Sequence, residues 1–245
     1  MLIRRGTARD DAADRRLATV LASVAGALNA AVFHAVGFFA ANMTGNVSTL
    51  SSLIALGGWR HGLGYAAVVL TFIGGAAVST LVIDAGLRRR IDTVYAMVVF
   101  VEAVLLTALG VIELDVAAPS GIPLMILGLS FLMGLQNAIV THISDARVRT
   151  THVSGMSTDI GIGLARLIAI AGGSASPETR PAVLAKLRLH MQTVGCFLLG
   201  GIAGVLLYRA VGNVTLILVA IPLLLVSIPP FCNRGARPMA RPRDR

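Results

Sequence analysis

A handful of polar side chains stands inside long apolar stretches, and these are the places where chemistry would be done. Asn29 and His34 fall in one stretch, Asn137 and His142 in another, and Glu102 lies midway along a third. Histidine titrates near neutral pH, so His34 and His142 are candidates for proton-coupled binding. The plainer alternative is a pair of interhelical hydrogen bonds that fix packing. The amides of Asn29 and Asn137 either hydrogen-bond across helices, for about 0.6–2 kcal/mol each, or line a polar path. Glu102 has no local partner, and a lone carboxylate in an apolar span is by default a functional candidate. Thr44, Gly45 and Asn46, and later Ser154 and Gly155, mark two breaks. Glycine admits backbone conformations closed to other residues, while Thr, Ser and Asn cap a following helix. The breaks are therefore either N-caps at loop turns or a substrate or ion site built from backbone groups. Asp159 and Arg166 share one helix face, with Asp159 near the helix start, where negative charge complements the dipole.

Nothing else resembles a catalytic centre. The chain has no HExxH, no GxSxG, no phosphate-binding loop and no Gly-x-Gly-x-x-Gly after a strand. His61 and His152 are isolated near loops, and no cluster has metal-ligand spacing. Cys196 and Cys232 sit in apolar surroundings as small hydrophobes. No enzymatic activity, cofactor or metal is expected.

The elements that carry these residues must be membrane helices. Of 245 residues, 56% are hydrophobic and 13% charged, and the mean hydropathy is +0.80. A soluble domain carries roughly 25% charged residues, so disorder, a coiled coil and an ordinary soluble enzyme are excluded. A transmembrane barrel would alternate polar and apolar residues, and these runs do not. The net charge of +9 does not point to nucleic acid. The charges lie between and beyond the apolar runs, and the basic C-terminus, without interleaved aromatics, suits anionic lipid headgroups.

The expected spans are residues 17–40, 64–84, 94–114, 121–142, 190–211 and 213–231, each close to the roughly 20 residues that cross a bilayer. The first is too long for the apolar region of a signal peptide. Segments 46–58 and 156–173 are awkward: the first is short, and the second carries Asp159 and Arg166. With six spans and a cytoplasmic N-terminus, every Lys and Arg except Arg60, Arg166 and Arg209 falls on the cytoplasmic side. If both awkward segments cross, Arg88, Arg89, Arg90, Arg147 and Arg149 move outside. The positive-inside rule favours six spans with both ends cytoplasmic. This gives a basic tail over 1–16, one transmembrane domain over 17–231 and a second basic tail over 232–245.

The chain also repeats itself. Gly26-Ala-Leu-Asn29-Ala30-Ala-Val32-Phe-His34 recurs as Gly134-Leu-Gln-Asn137-Ala138-Ile-Val140-Thr-His142, at an offset of 108 residues. Met43-Thr44-Gly45 follows the first string and Val153-Ser154-Gly155 the second, each leading into an awkward segment. Phe72-Ile-Gly74-Gly75 resembles Leu198-Leu199-Gly200-Gly201. The units are about 17–114 and 121–231. Each has three spans, an odd number, so the second enters the membrane upside down, as in many secondary transporters. Irregular backbone at membrane depth is tolerated only inside protein or along a water-filled cavity.

Ala41-Asn42-Met43-Thr44-Gly45-Asn46, together with Gly134-Leu-Gln-Asn137-Ala138 and Thr150-Thr151-His152-Val153-Ser154-Gly155, resembles the YoaK-type bacterial inner-membrane proteins. The resemblance covers roughly residues 17 to 230 and implies a multi-span membrane protein with no established activity. In that pattern Asp is more usual at the position of Asn29, and Thr-Gly at that of Ser154-Gly155.

The expected fold class is therefore all-α: a polytopic bundle of six spans in two inverted three-span repeats, each with a short broken or re-entrant helix. The expected function is a small secondary transporter or permease of the inner membrane, its site between the two breaks and its small-molecule or ion cargo unspecified. The alternatives are an intramembrane enzyme on lipid-like substrates and a non-transporting sensor or assembly protein. The lipid bilayer is the main partner. Gly74-Gly75 and Gly200-Gly201 admit close helix contact within a chain or in a homodimer.

Overall fold

The computed structural model describes residues 2, 10–115 and 122–228. Half of the N-terminal basic tail, all of the C-terminal one, and the end of the last expected span at 229–231 lie outside them. The described chain forms α1 (Asp11–Val36), α2 (Met43–Ala55), α3 (Trp59–Arg88), α4 (Val94–Asp115), α5 (Ile122–Ser144), α6 (Val153–Ala171), α7 (Arg180–Val211) and α8 (Val214–Ser227), with a short 3-10 turn, Pro177–Thr179, ahead of α7.

Every expected span is a helix, but several start earlier than their apolar runs. α1 begins at Asp11, where the Asp10 carboxylate accepts the Ala13 N–H at 2.6 Å. α7 begins at Arg180 rather than 190. Apolarity marks the part of a helix that meets lipid, whereas capping and polar turns set where the helix ends. α1 stops at Gly37, whose φ of +77° is the left-handed conformation of a helix C-cap.

Among the described residues six helices (α1, α3, α4, α5, α6 and α7) are long and apolar enough to cross a membrane. This differs from the expected set, because the awkward segment forms the 19-residue α6 and the last expected span is described only as the 14-residue α8. Packing then shows how they run. Arg147, just past α5, pairs with Asp14 at the start of α1 at 3.2 Å, so α1 and α5 are antiparallel. Lys186 and His190, in the first half of α7, line a cleft at the same end with Asp14 and Arg147. α5 thus arrives at the end from which α7 departs, and α6 between them returns to the face it left. α2 does likewise: Phe38, just past α1, stacks on Tyr65 of α3 with ring centroids 4.5 Å apart. α4 and α8 are also antiparallel. Asn213 Nδ2 donates to the Glu113 carbonyl at 2.9 Å, and Gly110 backs onto Ile217. α1 and α7 run parallel, with Gln192 Nε2 donating to Thr19 Oγ1 at 2.7 Å at one end and His34 edge-on to Tyr208 at the other.

Exchanging α1–α4 with α5–α8 reproduces the packing. α1 lies on α7 as α5 lies on α3, α2 on α3 as α6 on α7, and α4 and α8 pair with each other. The two main contacts have the same construction. Gly26 faces the Phe197 carbonyl and Gly200 the Ser23 carbonyl, while Gly134 faces the Phe72 carbonyl and Gly75 the Phe131 carbonyl. A side chain at any of the four would collide with backbone. This is how small residues bring membrane helices together. The contacts also correct the repeat alignment: Phe72 corresponds to Phe197 and Gly75 to Gly200, one residue away from the Gly-Gly match. Matching doublets ignores the fact that only one face of a helix touches its neighbour. Gly75, Gly200 and Gly201 are used within the chain, and Gly74 meets open space.

Candidate functional site

Both breaks are hooked back into the bundle by an asparagine. After α1 the chain runs without helix over residues 37–42, and the Ala41 N–H donates to Asn29 Oδ1 at 2.9 Å. Asn29 lies two turns inside the end of α1, about 10 Å at 1.5 Å per residue. The chain therefore dips back by about that depth before α2 starts. Asn46 Nδ2 donates to the Phe39 carbonyl at 2.9 Å, and Asn42 Oδ1 accepts the Gly45 N–H at 3.0 Å. In the second unit Asn137 Oδ1 accepts the Thr151 hydroxyl at 2.8 Å, and Asn137 Nδ2 donates to the Met133 carbonyl at 2.8 Å. Asn137 is likewise two turns inside the end of α5. The N-termini of α2 and α6 thus sit at depth. They enter from opposite ends of the bundle, because α1 and α5 are antiparallel.

The break residues themselves are placed differently from expectation. Thr44 and Gly45, and Ser154 and Gly155, lie in the first turns of α2 and α6 and are not caps. The cap of α2 is Asn42; at the start of α6 His152 occupies that position without a side-chain bond. Gly45 keeps room for the cap, since a Cβ there would lie 2.7 Å from Asn42 Nδ2, whereas Gly155 meets open space. Asn46 is buried, and its counterpart Met156, also buried, has no amide. The first break is tied by three amides and the second by one. Thr44, Ser154 and Gly155 are exposed on the short helices.

The two histidines are not brought together. His34 and His142 each occupy the last turn of their helix, both exposed, at opposite ends of the bundle. Asp159 pairs with Lys186 at 3.1 Å and approaches His190 Nδ1 at 3.6 Å, while Arg166 is exposed elsewhere on α6. With Asp14, Arg15 and Arg147, Lys186 and His190 frame a cleft of about 390 Å³ at one end of the bundle. No spacing in the sequence announces this cleft, because its residues come from three separate elements. Glu102 is fully buried, and Gln136 Nε2 donates to its Oε1 at 3.0 Å. Gln136 was missed as a site residue. The available signal was its place beside Asn137, where the first unit has Leu28. Among the described residues no three of His, Cys, Asp and Glu gather as a metal site requires.

Among the described residues, eight helices, six of them long and apolar, and a carboxylate buried midway along one of them define a multi-pass helical membrane protein. The chain belongs to the family described as Protein of unknown function (DUF1275), whose model matches residues 17–228, and the YoaK-type proteins are in this family. No curated protein and no solved structure matches the chain.

Proposed function

We propose that the chain is a small secondary transporter of the bacterial inner membrane. In this reading two inverted three-span units, with both termini cytoplasmic, hold a small-molecule or ion cargo between the two breaks. One observation carries the reading: equivalent asparagines, Asn29 and Asn137, draw two helix N-termini to membrane depth from opposite ends. Helix N-termini present unpaired N–H groups and the positive end of the dipole. In inverted-repeat transporters such broken helices form the substrate site. The antiparallel course of α1 against α5 and of α4 against α8 supports the inversion. The basic residues near the start of α1 support its placement in the cytoplasm. Glu102, His34 and His142 do not converge, which favours transport over catalysis at the buried carboxylate.

The test needs no identified cargo. Thr44→Cys and Ser154→Cys are made separately in a background lacking Cys196 and Cys232 and reconstituted into liposomes. A membrane-impermeant maleimide is expected to modify Thr44→Cys from the outside and Ser154→Cys from the inside. If both stay unreactive from either side, the breaks face lipid rather than a water path, and the transporter reading fails.

A further inference from the structure

We propose that Glu102 and Gln136 form a proton-binding site, with one proton held on Glu102 Oε2 in the resting protein. Both side chains are fully buried, Glu102 on α4 and Gln136 on α5. The Gln136 amide donates to Glu102 Oε1 at 3.0 Å. Glu102 Oε2 and Gln136 Oε1 are buried without any hydrogen-bond partner. Both are acceptors when the carboxylate is ionised, so the pair lacks a donor. One proton on Oε2 supplies that donor and removes an uncompensated buried charge, which the interior would otherwise have to carry. The carboxylic acid and the primary amide are then matched in donors and acceptors. No other bond forms or breaks: the proton arrives from water at one face and leaves to water.

Among the described residues no Lys, Arg or His pairs with Glu102, and α1, which also packs on α5, carries Arg15, Arg16 and His34 only near its ends. α8 has no titratable side chain in its described length, and α5 has only His142, in its last turn. α3 carries Arg60, His61, Tyr65, Asp84 and Arg88, all near its ends. On α4 the buried stripe through Glu102 also holds Tyr95, two turns earlier, and Glu113, three turns later. Gln136 adjoins Asn137, which ties down the second break. Losing the proton would strand two acceptors between α4 and α5 and loosen the helix that holds Thr151. In this coupling role the proposal rests on the transporter reading. The proton site itself does not.

Infrared difference spectra of the full chain in liposomes at neutral pH test it. The wild-type minus Glu102→Gln spectrum is expected to contain the carbonyl stretch of a protonated carboxylic acid. Glu113→Gln should leave that band, and Gln136→Leu should move it by removing a hydrogen bond. Glutamine at 102 keeps the shape and a donor, so folding is expected to survive; if it does not, the band shift in Gln136→Leu still decides. Carboxylate bands alone at position 102, or an acid band that vanishes when sodium replaces potassium, would overturn the proposal. An acid band with unreactive breaks would leave the proton site standing and remove the transporter reading. Reactive breaks with only carboxylate bands would do the reverse.

Discussion

Gly75→Val is expected to prevent assembly of the bundle, while Gly74→Val, one residue earlier, is expected to leave it intact. At position 75 a Cβ would collide with the Phe131 carbonyl and press on the Leu135 amide, and neither helix backbone can yield without separating α3 from α5. Overpacking in a compliant core costs 1–3 kcal/mol; against rigid backbone the cost should reach at least ~3 kcal/mol, a large share of a typical folding free energy. At position 74 nothing lies within 4 Å, so valine should change stability by no more than about 0.5 kcal/mol. Gly200→Val, at the corresponding place between α7 and α1, should repeat the first result. Thermal midpoints and monodisperse yield in a mild detergent provide the comparison. Equal behaviour of the two α3 variants would contradict the packing described for α3 and α5.

The second large effect is expected at Asn29. Its Oδ1 accepts the backbone N–H of Ala41, where both residues are buried. Asn29→Leu leaves that N–H unpaired, at a cost of about 1–3 kcal/mol, and removes a tie that keeps the first break at depth. Asn29→Asp retains an acceptor and should keep the break in place. Asn137→Leu should be milder for stability, because its partner is the Thr151 hydroxyl, which can rotate to another acceptor. Hydrogen exchange at residues 37–45 provides the readout: fast in Asn29→Leu, and close to the unmodified protein in Asn29→Asp. Slow exchange in Asn29→Leu would mean that Asn42 and Asn46 hold the break without it.

Much of this architecture is legible in the residues because lipid imposes simple rules. Long apolar runs marked five of the six long apolar helices, all but α6, and the recurring Gly26 and Asn29 strings fall at corresponding places in α1 and α5. Asn29 and Asn137 could be singled out because an amide in an apolar helix needs a partner, but the partners lie beyond a loop whose path no periodicity encodes. Gly75 and Gly74 look alike in sequence, and only the facing helix distinguishes them. The placement of the histidines was hidden for a related reason: equal positions in a repeat become opposite ends of the molecule when α5 runs against α1. The Asp159–Lys186 pair was hidden because helical spacing relates Asp159 to Arg166, whereas its partner lies on the neighbouring helix. Glu102 was conspicuous as a charge among apolar residues. Gln136 was not, because amides beside a repeated motif read as part of the motif.

The central claim is that α2 and α6 each return to the face they enter, from opposite sides of the membrane. Single cysteines at positions 57, 60, 89, 147 and 176, in a background without Cys196 and Cys232, test it most directly when labelled in intact cells with an impermeant maleimide. The account predicts labelling at 57 and 60 and none at 89, 147 and 176 until the cells are opened. Labelling of 89 and 147 in intact cells, with 57 and 60 protected, would mean that α2 crosses; opposite behaviour of 147 and 176 would mean that α6 crosses; either would contradict it.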